Sequence, residues 1–147
     1  MKIFKAQKKV KRLKGEINNL ADRIQNTIST LANNKYEESY TDLIQEHFEK
    51  VTELIKLKVA IHEQNIKHGM FKQILELGET KNKLNLIKSL NVRIGEVNEG
   101  YRLEKPIEYK SQLTVKEKNQ IIKDLENAIV QMTDKLDDFN AVTDIEL

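Results

Sequence analysis

The chain has no cysteine, one proline and five glycines spread over 147 residues. Without cysteine it can form neither a disulfide nor a thiolate metal site. The glycines stand apart, at positions 15, 69, 78, 95 and 100, so none belongs to a glycine-rich phosphate loop. Aromatic residues make up only 5%, which excludes a core built on large rings and favours a narrow one of Leu, Ile and Val. No uncharged apolar run approaches the ~18 residues of a spanning helix. The basic start is not followed by the apolar block of a signal peptide. These absences lead us to expect a soluble, cytoplasmic protein with no membrane span.

What is present points to helices. Charged residues are 33% and apolar residues 39%, the profile of an Ala/Glu/Lys/Leu helical chain. The length suits one domain over 1–147. The formal net charge is only +2, so any charge-driven role must come from local segregation.

The first apolar residues keep a strict heptad: Ile3, Ala6, Val10, Leu13, Ile17, Leu20, Ile24 and then Leu31, with Thr27 at the missing step. A 3.5-residue repeat held this long predicts a coiled-coil seam over about 2–33. A second helix is predicted over 40–66, capped by Ser39 or Thr41. Thr41 is favoured because Asp42 and Glu46 then suit the first turns. Its apolar residues run from Leu43 and Ile44 through Phe48, Val51, Leu54, Ile55, Leu57, Val59 and Ile61. That stripe is wider than one seam needs, so the helix should meet more than one neighbour.

A third helix is expected over 71–98, with a kink or break at Gly78, where the phase slips between Leu77 and Leu84. From Tyr101 to Leu113 the period changes to two. Tyr101, Leu103, Ile107 and Tyr109 should bury on one side of a short hairpin or strap, with Pro106 keeping it from a central strand. The last helix, over 115–140, opens on a capping box of Thr114 and Glu117. Ile122, Leu125, Ile129, Met132, Leu136 and Phe139 continue its heptad, and Lys118 holds the one polar position. The fold class is therefore all-α: an elongated antiparallel helical bundle or coiled coil with a short β-hairpin-like insert near 101–113.

No reaction is legible. His62 and His68 lie six apart and share no helix face, and Ile66 stands where a zinc hydrolase needs its second histidine. No Glu-x-x-His pair of a carboxylate-bridged metal bundle occurs. We expect no catalytic residue, no metal and no cofactor. Asn65, Asn91 and Asn140 lie where a buried Asn would fix seam register, although exposed or capping placement is the simpler alternative.

Charge is segregated at the ends. Lys2, Lys5, Lys8, Lys9, Lys11, Arg12 and Lys14 are gathered at a helix N-terminus without an acid among them. Asp134, Asp137, Asp138, Asp144 and Glu146 gather at a helix C-terminus. Each set opposes its own macrodipole. Antiparallel pairing of the first and last helices would let them compensate, so Lys5, Lys8, Lys9, Lys11, Arg12, Asp134, Asp137 and Asp138 form the candidate interaction face.

The stretch "EYKSQLTVKEKNQIIKDLENAIVQMTDKLDDFNAVTDIEL", with its extended strap, Thr-Val start, long heptad helix and closing Asn140, Thr143, Asp144 and Ile145, resembles a known group. It is similar to a family of short, functionally uncharacterised bacterial proteins, some of which are labelled septicolysin. The first helix, "IHEQN" at 61–65 and Gly69 also fit. The chain departs from that pattern at Ala141, where the family has Trp, at His62, where it has Asn, and in the shortened "NNKYEESY" loop. The resemblance implies a helical fold and a bacterial origin, and no established activity.

The reading that follows is a non-enzymatic structural or protein-interaction module, a homo-oligomer with a dimer as default. Nucleic-acid binding by the basic N-terminal face is the alternative, though it lacks interleaved aromatics. Membrane action, suggested by the septicolysin label, is a second alternative.

Overall fold

A computed structural model describes residues 1–97 and 105–147. Among them the chain forms helices α1 (Ile3–Thr27), α2 (Tyr40–Lys67), α3 (Met70–Ser89) and α4 (Val115–Val142), with strands β1 (Gly95–Val97) and β2 (Ile107–Tyr109) before the last helix. The fold is all-α with a short hairpin insert. It divides into two compact units, one of Met1–Phe71 with Asp137–Leu147, the other of Lys72–Leu136.

In the first unit α1 packs along α2. Every heptad position of α1 from Ile3 to Ile24 is buried or half-buried, as the spacing predicts. Ile3, Ala6 and Leu13 meet Leu57 and Ala60 of α2, and Ile145 of the C-terminal tail completes the cluster. Val10, Leu54, Ile61 and Phe139 pack around it. Burying a Leu or Ile side chain contributes about 1.5–3 kcal/mol, so each large member of this cluster is a substantial part of what holds the unit closed.

The helix ends differ from expectation. α1 stops at Thr27 rather than 33. Its last seam position is polar, and the Thr27 hydroxyl donates back to the Arg23 carbonyl at 2.6 Å. Beyond it Leu31 is 75% exposed, so further turns would bury nothing. The cap of α2 is Ser39 and not Thr41: the Ser39 hydroxyl accepts from the Asp42 N–H at 3.5 Å. Gly69 follows the end of α2 with φ +68°, the left-handed conformation that lets the chain turn directly into α3.

In the second unit α3 runs through Gly78 as one helix, so the chain does not break there. The apparent phase slip is filled by Thr80, only 8% exposed, whose hydroxyl donates to the Glu76 carbonyl at 2.7 Å. A polar residue with its hydrogen bond met within the helix keeps the seam position between Leu77 and Leu84. The helix ends at Ser89 rather than 98, because the hairpin begins earlier than predicted. Gly95 pairs with Tyr109, Glu96 with Glu108 and Val97 with Ile107, antiparallel.

Tyr101 and Leu103, expected to bury on one side of the hairpin, lie outside the described residues. Ile107 is exposed, and Tyr109 is half-buried under Arg93, whose guanidinium reaches its hydroxyl at 3.1 Å.

α4 starts as predicted, with the Glu117 N–H on the Thr114 hydroxyl at 3.1 Å. Lys118, the polar residue in its seam, reaches the carbonyls of Lys88 (3.2 Å) and Leu90 (2.7 Å) at the end of α3. A cation there satisfies carbonyls that the helix itself leaves open. Lys88 also pairs with Glu126 of α4 at 3.2 Å.

Candidate interaction surfaces

The start of α1 carries two local conflicts. Its first turn holds no acid, and its N-cap residue, Lys2, makes no side-chain cap bond. The C-terminal tail resolves both from outside the helix. The Thr143 carbonyl accepts the Ile3 N–H at 2.9 Å, and the Ile145 N–H donates to the Met1 carbonyl at 2.8 Å. Asp144 brings its carboxylate to the positive end of α1, 2.7 Å from the Lys2 ammonium and 3.4 Å from the terminal amine. The Lys2 hydrogen bond is the main cause that holds the Asp144 carboxyl below its ordinary value. Lys2 also donates to the Val142 carbonyl at 2.7 Å, at the end of a helix whose last turn has no base. The two chain ends therefore compensate each other, through Lys2 and Asp144.

The remaining charges of the candidate face go elsewhere. Lys9 pairs with Glu53 of α2, and Arg12 with Glu16 four residues on. Lys8 lies over the Phe4 ring, 4.3 Å from its centroid. Asp134, Asp137 and Asp138 are exposed, and among the described residues no ion pair joins them to Lys5, Lys8, Lys9, Lys11 or Arg12.

The pairs that sequence reasoning missed join α1 to α2. Lys50 reaches Glu16 at 2.8 Å. That hydrogen bond chiefly depresses the Glu16 pKa and raises that of Lys50. Arg23 pairs with Glu38 in the loop before α2, and the same logic lowers the Glu38 carboxyl. Glu16 follows the seam residue Leu13 by three, a flanking position where inter-helix pairs form. That signal was available, but its partner depends on how the two helices register.

α2 carries a second surface. Its inner face, through Leu43, Leu57, Ala60 and Gln64, is buried. On the opposite side Ile44, Phe48, Val51, Ile55 and Val59 recur at steps of three and four, a second stripe. Phe48 is 65% exposed, Ile55 56% and Val59 49%. Beside the stripe lies a shallow groove of ≈ 590 Å³ whose lining includes Ile44, Phe48, Glu49, Thr52 and Lys56. The expectation that α2 meets more than one neighbour agrees with its inner cluster, which holds residues of α1 together with Phe139 and Ile145; among the described residues Phe48, Ile55 and Val59 of the second stripe are exposed.

The histidines sit against rings. His62 meets Phe71 edge-on at 5.1 Å, and His68 meets Phe139 at 5.5 Å. Among the described residues no group of three or more His, Asp or Glu side chains could hold a metal ion, and no helix is long and apolar enough to cross a membrane. Asn65 is buried at the end of α2 with its Oδ1 unpartnered. Comparison with protein-family models, curated proteins and solved structures gives no match.

Proposed function

We propose that this is a non-enzymatic protein-interaction module that binds an amphipathic helix along the outer face of α2. One observation carries this reading. α2 has two apolar stripes: one is packed into the core cluster, and among the described residues the other leaves Phe48, Ile55 and Val59 exposed. Scattered exposed apolar residues need no explanation, but a contiguous row does. This row is straight and several helical turns long, which suits another helix rather than a small molecule. The tail that clamps α1 supports the same role, because it stiffens the hairpin from which the face is presented.

The test is a charge placed on the row. Changing Phe48→Lys and Ile55→Lys together leaves the folded chain intact if the face is free for a partner, with stability moved by no more than ~0.5 kcal/mol, as at ordinary surface sites. A loss of several kcal/mol in denaturant unfolding would show that the row belongs to the chain's own core and would overturn the reading.

A further inference from the structure

We infer that the occupant of this face is the same face of a second copy, laid antiparallel about a twofold axis that crosses α2 between Val51 and Thr52. The inference rests on the reading of the outer stripe as a docking surface and adds the partner and its direction.

The stripe is its own complement under that axis. The operation sets Ile44 of one copy against Val59 of the other, and Phe48 against Ile55. Val51 meets Thr52 at the centre. All four apolar residues named in the outer pairs are among the chain's exposed or half-buried ones. Each then lies opposite another apolar side chain. A twofold interface requires this self-matching of one patch.

Charge selects the direction. The first half of α2 carries Asp42, Glu46, Glu49 and Glu53 against Lys50 alone. The second half carries Lys56, Lys58 and Lys67 against Glu63 alone. Parallel pairing would set acidic half on acidic half and basic half on basic half. Antiparallel pairing sets acid on base in both halves. It also opposes the two helix dipoles.

Two flanking residues make the choice local. Glu49 and Lys56 line the same groove beside the stripe, and among the described residues neither has an ion-pair partner. Across the proposed axis Glu49 of each copy lies within about half a turn of Lys56 of the other. In a parallel pair each would meet its own kind, and like charges facing across a helix pair disfavour that arrangement.

The absence of cysteine makes the test clean, because an introduced thiol is the only one. Two single variants, Ile44→Cys and Val59→Cys, are prepared separately, mixed and oxidised gently. The proposed geometry gives the mixed disulfide as the main covalent dimer. It gives little disulfide of either variant with itself, since copies of position 44 lie ~22 Å apart at 1.5 Å rise per residue. Thr52→Cys, an exposed position beside the axis, self-links and serves as the check that does not depend on Ile44.

Self-linked Ile44→Cys and Val59→Cys in place of the mixed species would show parallel pairing and overturn the inference. A wild-type mass of 17.1 kDa at every concentration, with no link at Thr52→Cys, would also overturn it. Either result leaves the docking reading to be judged separately, by whether Phe48→Lys/Ile55→Lys still folds.

Discussion

The two faces of α2 are both largely apolar and have different fates. The inner face buries Leu57 to 1% and Ala60 to 5% exposure, whereas Ile55 and Val59, on the neighbouring positions, stay about half exposed. The difference lies in what faces each side. α1 offers a matching heptad and two ion pairs, from Glu16 and Lys9, that fix its height against Lys50 and Glu53. Among the described residues the outer face leaves Phe48, Ile55 and Val59 exposed.

That contrast can be broken hardest from the inside. Leu57→Ala removes a side chain from the centre of the α1–α2 cluster, and its cost should be about 2–5 kcal/mol, the range of large-to-small core changes. Urea unfolding measures it. A cost below ~1 kcal/mol would mean that the inner face is not the core.

A smaller effect is expected at the pairs that set helix height. Glu16 is held below its ordinary value of 4.5, first by the Lys50 hydrogen bond. A carboxyl with a depressed folded pKa contributes stability above its ordinary value and loses it as pH falls through the folded value. Glu16→Gln should therefore lower Tm at neutral pH. The gap from wild type should close as pH falls below the 4.5 of a free Glu. A gap that persists unchanged at strongly acid pH would show that charge is not the cause.

The smallest effect on folding belongs to the outer face. Phe48→Lys and Ile55→Lys, measured in dilution where each chain is alone, should move the unfolding free energy by no more than ~0.5 kcal/mol. Equal losses for Ile55→Lys and Leu57→Ala would erase the distinction between the faces.

Much of this was legible in the residues, and what was missed has physical causes. The α1 seam from Ile3 to Ile24 could be read position by position, because heptad spacing is a local property of one helix. So could the start of α4, where Thr114 and Glu117 form a local cap. Helix ends were harder. α1 stops at Thr27 because beyond it there is nothing to bury against, which is a tertiary fact. Thr80 was missed since a threonine that bonds to its own helix behaves as a seam residue while reading as polar. The charges at the chain ends suggested pairing of the first and last helices through Lys5 to Arg12 and Asp134 to Asp138, whereas α1 packs along α2 and the ends meet through Lys2 and Asp144. Backbone pairing of the tail with Met1 and Ile3 sets that choice, and such pairing leaves no mark in a charge pattern. The double stripe of α2 was visible as one wide band. Dividing it into used and open halves required knowing where α1 lies.

Molar mass by light scattering over rising concentration asks the question most directly. Wild-type protein should climb from 17.1 kDa toward twice that value, while Phe48→Lys/Ile55→Lys, melting as wild type does in dilution, should remain at the single-chain mass throughout. A wild type that stays monomeric at every concentration, or a doubly charged variant that still doubles its mass, would contradict the assignment of the outer face of α2 as the surface through which two copies meet.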